Sequence, residues 1–232
     1  MIADLRIVKD VPSAFAELAA LTISVAEHSS VNRLDPFRLG CSGGASGSAC
    51  FGALALNDDI DWSRVACYFV DERCVKETSN DANVTLIKQA LGTHVEELAG
   101  FYPMSCQEGP GPYEALLKRA RSIDLLQLGF GPDGHTASLF ADSEALTAPE
   151  ARLVARNVDP SGRNRFERLT WTYSGIALAR LVVFTVIGEE KAEALRVVDS
   201  GGDLPAAKVR AQQVIWLCDE AASSLLASRP RT

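Results

Sequence analysis

Apolar residues gather in five short runs along the chain: FRLGC (37–41), VACYFV (65–70), DLLQLGF (124–130), LVVFTVIG (181–188) and VIWLCD (214–219). The runs are of strand length and nearly unbroken, rather than alternating apolar with polar. That is the pattern of strands covered on both faces, as in a parallel sheet flanked by helices. Stretches of helical periodicity lie between them. Pro12 suits the first turn of a helix, and Phe15, Leu18, Ala19 and Ala26 then share one face. SACFGALAL, ANVTLIKQAL, YEALLKRARSI (113–123), EEKAEALRVV and EAASSLLAS continue the alternation. The pattern predicts the α/β class: a doubly wound, mainly parallel open sheet with helices on both faces. RLVARN (152–157) and RLTWTY (168–173) read as additional strands in a less regular insert. With no repeat, low-complexity tract or long linker, residues 1–232 read as a single α/β domain.

In an open α/β sheet the carboxyl ends of the strands form the ligand crevice. Polar residues collect at those ends: Ser42–Gly47, Asp71–Arg73, Asp133–His135 and Glu189–Lys191 each follow a predicted strand. The SGGASG segment, with Ser42, Gly43 and Gly44 at its head, can turn backbone N–H groups toward an anion at a helix N-terminus. A tight strand-to-helix turn also needs small residues, and no Gly-Lys-Ser/Thr follows, so this is not a Walker loop. Arg73 can fork two donors onto a phosphate or carboxylate, or it can bridge to Glu72 or Asp71. Lys191 in the first turn of a helix opposes the macrodipole by roughly 0.3–1 kcal/mol. A bound anion would cancel that penalty, as would a bridge to Glu189 or Glu190.

The segment GFGPDGHTASLF (129–140) poses the sharpest choice. Its first six residues satisfy the GxGxxG pattern of a dinucleotide loop, yet His135 comes where the nucleotide-binding helix should begin. Pro132 stiffens the turn, and the polar stretch FADSEALTAPE follows instead of a helix returning to a strand. A turn that presents His135 is the better reading. An imidazole has a reference pKa of about 6.5, so its neutral form is available near pH 7 to take a proton from water. Asp133 can orient the ring or contact substrate hydroxyls, besides being a common turn former. The other histidines, His28 and His94, lack this setting.

Composition narrows the partners. The net charge is −7, so neither a nucleic-acid nor an anionic-membrane surface is expected, and an anionic ligand needs a local cationic pocket. The six cysteines form no CxxC pair, and several fall in strand-like runs. Buried free thiols in a reducing cytosol are therefore expected rather than disulfides or a metal site. The charged start MIADLRIVKD fits neither a signal peptide nor a membrane span, which points to a cytoplasmic protein.

Taken together, GFGPDGHTASLF, Asp71-Glu72-Arg73 with Ser79-Asn80 after it, the Gly43-Gly44 pair, GEEKAEAL (188–195) and VIWLCDEAA (214–222) resemble the 6-phosphogluconolactonases over nearly the whole chain. The resemblance implies a glucosamine-phosphate-isomerase-like fold, a modified Rossmann arrangement. It implies hydrolysis of 6-phospho-D-glucono-1,5-lactone to 6-phosphogluconate in the oxidative pentose phosphate pathway. No metal or organic cofactor is then expected, and the protein would be a monomer or small homo-oligomer. By position the resemblance makes His135 the general base, with Arg73, Arg168 and Lys191 as phosphate or substrate contacts. The chain departs from the family at GGASG, where Gly-Gly-Ser/Thr-Thr-Pro is usual. It departs again at Lys76, and in lacking a proline three residues before Arg168. Glucosamine-6-phosphate deaminases share the fold, but Arg73 stands where they carry a tyrosine, and their glutamate after the histidine loop is missing. A sugar-phosphate sensor is the non-enzymatic alternative. The candidate set is thus His135 and Asp133 for catalysis, with Ser42, Gly43, Gly44, Asp71, Arg73, Arg168 and Lys191 for binding.

Overall fold

The structure is a computed structural model and describes residues 1–30 and 35–227. Seven strands pair in parallel in the spatial order β1 (Leu5–Val8), β10 (Gln213–Asp219), β9 (Ala179–Val186), β6 (Ile123–Gly129), β2 (Phe37–Cys41), β3 (Val65–Phe69) and β5 (Gly100–Tyr102). The five apolar runs became the five inner strands. All of β3 is buried, as is β6 up to its last residue, which is why these segments carry no alternation. The two edge strands left no such trace in sequence: β1 is interrupted by Arg6 and only half-buried, and β5 is a half-buried GFY.

From β2 the chain steps through α2 (Gly44–Ala55) to β3, and on through α3 (Asn83–Leu91) and α4 (Pro110–Ala120) by way of β5. From β6 it moves the opposite way, to β9 and then through α6 (Ala192–Asp199) to β10. Right-handed crossovers put α1 (Val11–Ser30), α2 and α3 on one face and α4 and α6 on the other. The packing of α1 on α2 and of α2 on α3 agrees with that. The winding direction reverses between the neighbours β6 and β2, so the loops after these two strands diverge and leave a crevice.

A second sheet of three antiparallel strands, β4 (Asp71–Arg73), β8 (Arg168–Trp171) and β7 (Val154–Asn157), stands over this crevice. The insert expected at 152–173 is therefore real, and α5 (Tyr173–Ile176) leads out of it. Asp71–Arg73 was expected to be a loop. It is a strand because the chain runs straight out of β3 through Val70, whose carbonyl accepts Trp171 N at 2.8 Å.

Three further expectations need correction. The helix read at 113–123 spans Pro110–Ala120, since Arg121 takes a φ of 62° and Ile123 already pairs in β6. The helix expected at EAASSLLAS is a series of turns through Leu226: Asp219 holds Ala222 N at 2.7 Å, and Leu225 is left exposed with no face to bury. The cysteines were read as free thiols, yet Cys74 and Cys106 form a disulfide with Cα atoms 5.4 Å apart. Cys74 directly follows β4 and Cys106 lies in the loop after β5, a juxtaposition that 32 residues of separation hide. Cys41, Cys50, Cys67 and Cys218 are buried and free, as expected. Among the described residues, no helix is long and apolar enough to cross a membrane.

Candidate active site

The crevice at the β2/β6 divergence holds a cavity of about 190 Å³. Its walls include Ser42, Gly43, Gly44, Asp71, Arg73, His135, Arg168 and Lys191, so eight of the nine sequence candidates meet in one place. The ninth, Asp133, stands directly behind His135.

The turn after β6 exists to hold His135. Asp133 Oδ1 lies 2.5 Å from His135 Nδ1 and also accepts the backbone N–H of His135 at 3.2 Å. Gly131 N and His135 O close the turn at 2.9 Å. A Cβ on Gly131 would sit 2.1 Å from His135 Nδ1, so the second glycine of GxGxxG makes room for the imidazole. The Phe140 ring supports it at 5.2 Å between centroids. With Nδ1 occupied by the carboxylate, Nε2 is left without a partner among the described residues. The bond to His135, first among its causes, holds the Asp133 carboxyl below the usual carboxylate range, so Asp133 stays ionised and fixes the tautomer with the Nε2 lone pair open. Ala137 just beyond has a φ of 49°, a left-handed conformation that costs a non-glycine residue about 1–2 kcal/mol.

Three cations, Arg73, Arg168 and Lys191, line the cavity. Arg73 and Arg168 are direct partners across the β4/β8 ladder, and like charges in that relation destabilise a sheet. Arg168 is 5% exposed and its guanidinium has no hydrogen-bond or salt-bridge partner among the described residues, with Nη1 fully enclosed. Burial, followed by opposing effects of Asp71 and Arg73, lowers its affinity for the proton. Leaving such a group unpaired is expensive unless a ligand completes it. Arg73 bridges neither Glu72 nor Asp71; Nη1 donates to Asp81 O at 3.0 Å. The expected bridge at Lys191 exists, but it is a loose 3.6 Å contact to a mostly exposed Glu190. Lys191 occupies a single 3-10 turn, Glu189–Lys191, just ahead of α6.

The glycine loop enters its helix earlier than SACFGALAL suggested, since α2 begins at Gly44 with Gly43 as an N-cap that offers no side chain. Its first backbone N–H groups therefore remain open at the cavity wall. The Ser42 hydroxyl is already used, donating to Gln127 O at 2.9 Å. Asp71 is likewise committed: Oδ2 accepts Ser138 Oγ at 2.6 Å and Oδ1 accepts Asn83 Nδ2 at 3.1 Å. Both line the cavity with these groups already hydrogen-bonded inside the protein.

Asn83 and Asn164 also line the cavity and were missed. The resemblance drew attention to Ser79-Asn80, but Asn80 is exposed, whereas Asn83 is 2% exposed at the start of α3. Nothing in ANVTLIKQAL marks Asn83, whose burial comes from the approach of β4 to α3. Among the described residues no group of three or more His, Cys, Asp or Glu side chains could hold a metal ion.

Comparison with solved structures defines the fold class first. A 6-phosphogluconolactonase from Thermotoga maritima superposes with a TM-score of 0.79 at 24% identity, over 93% of this chain and 99% of that one. A monomeric glucosamine-6-phosphate deaminase superposes nearly as well, with a TM-score of 0.78 at 14% identity over 96% of this chain and 99% of its own. Fold alone thus does not separate the two chemistries. In sequence, residues 10–216 match the model of the glucosamine-6-phosphate isomerases/6-phosphogluconolactonase family, and the chain belongs to that family. The 6-phosphogluconolactonase of Streptomyces coelicolor is 33% identical over 211 residues, covering 80% of each chain. That of Mycobacterium bovis is 32% identical over 209 residues, 81% of this chain and 84% of its own.

Proposed function

We propose that this chain is a lactone hydrolase that converts 6-phospho-D-glucono-1,5-lactone and water to 6-phospho-D-gluconate, with His135 as general base. One observation carries the reading: an oriented His135–Asp133 dyad shares its cavity with Arg168, a buried guanidinium that packs near the Phe166 ring but has no hydrogen-bond or salt-bridge partner among the described residues. The first supplies proton transfer and the second calls for an anionic or strongly polar ligand.

His135 Nε2 takes a proton from water as the water oxygen attacks C1 of the lactone. The carbonyl electron pair moves onto oxygen, giving a tetrahedral oxyanion. When that pair returns, the bond from C1 to the ring oxygen breaks, and the imidazolium returns its proton to the departing oxygen. The ionised Asp133 stabilises the imidazolium between the two transfers. Open N–H groups at the start of α2 and the Arg168 guanidinium are the donors suited to the oxyanion or to the phosphate. Arg73 and Lys191 complete the positive field that an acidic protein needs around a phosphate dianion.

The test is a coupled assay with freshly generated 6-phosphogluconolactone, with glucosamine 6-phosphate deamination run in parallel. Lactone hydrolysis well above the spontaneous rate, without ammonia, is the expected result. Ammonia release in place of lactone hydrolysis would overturn it, and binding of sugar phosphates with neither turnover would favour a sensor.

A further inference from the structure

Helix α3 lacks a cap of its own. The residue before it is Ala82, whose side chain can accept nothing, so the first N–H groups of the helix need another acceptor. Glu72, on the neighbouring strand β4, supplies it. Its Oε1 accepts Asn83 N at 2.6 Å and Arg73 N at 2.7 Å, and its Oε2 accepts Val84 N at 2.8 Å. Three backbone donors converge on one carboxylate that is 4% exposed. Two of them belong to residues that line the proposed active site.

The downstream contacts give this cap a purpose beyond the helix. Asn83 Nδ2 donates to Asp71 O at 3.0 Å and to Asp71 Oδ1 at 3.1 Å, which fixes the amide and aims Oδ1 away from them. The same carboxamide lies under the glycine loop: a Cβ on Gly43 would come within 2.0 Å of Asn83 Cγ. Arg73 is tied at both ends, its backbone N to Glu72 and its Nη1 to the carbonyl of Asp81, two residues ahead of α3. Displacing the start of α3 would therefore move Arg73, Asp71 and the glycine loop together.

We propose that Glu72 is a positioning residue of the active site, holding the start of α3 so that Arg73 and Asn83 set the anion-binding wall against the glycine loop. This rests on the lactonase reading for the identity of the anion. Burial, partly opposed by the three N–H bonds, pushes the carboxyl up to about 7.

The test compares Glu72→Gln with wild type. The substitution keeps the shape, removes the charge and sets an NH2 against one backbone donor. Measured quantities are kcat and KM for 6-phosphogluconolactone and for unphosphorylated gluconolactone, Tm, and calorimetric affinity for 6-phosphogluconate and inorganic phosphate. Expected are a rise of about tenfold or more in KM for the phosphorylated lactone and matching losses of affinity, the scale of one charge-assisted contact. Turnover should stay within about threefold, and the unphosphorylated lactone should be nearly unaffected. Equal affinities with a lowered Tm, or equal losses on both lactones, would reduce Glu72 to a structural cap and overturn the proposal. Should Glu72→Gln fail to fold, Asn83→Ala leaves the cap in place and must show the same KM shift; an unchanged KM there overturns it too. A wild-type protein that binds phosphate but hydrolyses no lactone would defeat the lactonase reading while leaving the calorimetric comparison decisive for Glu72.

Discussion

At the scale of single residues, the proposed reaction rests on His135 and on the Asp133 carboxylate bonded to it. His135→Ala removes the proposed base, and kcat should fall by about 10²–10⁴ with a modest change in KM. Activity within twofold of wild type would take His135 out of the mechanism. Asp133→Asn leaves the ring but frees its tautomer, and a loss of up to about 10⁴-fold in kcat is expected, as for a carboxylate that orients a catalytic imidazole. The cations should behave differently. Arg73→Ala and Lys191→Ala should chiefly raise KM for the phosphorylated lactone, since a phosphate far from C1 is held alike in ground and transition states. Arg168, facing Arg73 with no salt-bridge partner among the described residues, is the residue whose replacement by Met should raise stability in the absence of ligand. A melting temperature that drops in Arg168→Met would show that the fold, not a ligand, needs this charge.

At the scale of elements, the site depends on how closely α2 and α3 meet. Gly43→Ala would drive a methyl into Asn83, whose side chain is enclosed and bonded to Asp71, so the glycine loop must move. A loss of about 1–3 kcal/mol in stability, with a raised KM, is expected from thermal and kinetic measurements on that variant. The cap of α3 brings a pH dependence whose sign follows from linkage. Glu72 has its carboxyl raised from an ordinary 4.5 to about 7, so its contribution to stability is full below about 4.5 and is lost as pH rises through 7. Asp71 pushes in the same direction, Arg73 and Arg168 oppose it, and Lys76 and Glu77 border the cavity outside. Wild type should therefore lose stability relative to Glu72→Gln between pH 5 and 7, by on the order of 2–3 kcal/mol. Parallel melting curves across that range test it; a wild-type-minus-variant difference that does not fall as pH rises would contradict it.

At the scale of the whole molecule, the disulfide joins the small sheet to the edge of the large one. Cys74 extends from the strand that carries Arg73, and Cys106 follows β5. A link closing a 32-residue separation restricts the unfolded chain by about 3–4 kcal/mol in the chain-entropy treatment. Reduction, or Cys74→Ser with Cys106→Ser, should lower Tm by about ten degrees in a chain of this size. Mass spectrometry before and after alkylation establishes the oxidation state of the sample. No change in Tm between demonstrably oxidised and reduced protein would mean the bond adds nothing to the fold.

The inner sheet was legible in the chain because strands buried on both faces must be apolar at every position, and β2, β3, β6, β9 and β10 are written that way. The grouping of His135, Arg73 and Lys191 was also legible, since the carboxyl ends of parallel strands share one edge whatever their order. Local chemistry sufficed to read GPDGH as a turn built for its histidine, because Gly131, Asp133 and His135 interact within a few residues. What sequence left open depends on contacts between distant segments. Edge strands β1 and β5 are only half covered, so they carry no continuous run, and β4 is a strand only because β8 arrives from nearly a hundred positions away. Glu72 and Asn83 look like an ordinary charge and an ordinary helix residue until β4 and α3 are side by side. The Cys74–Cys106 bond has the same origin: no spacing rule marks it, and only the approach of the β5 loop to the end of β4 brings the two sulfurs together.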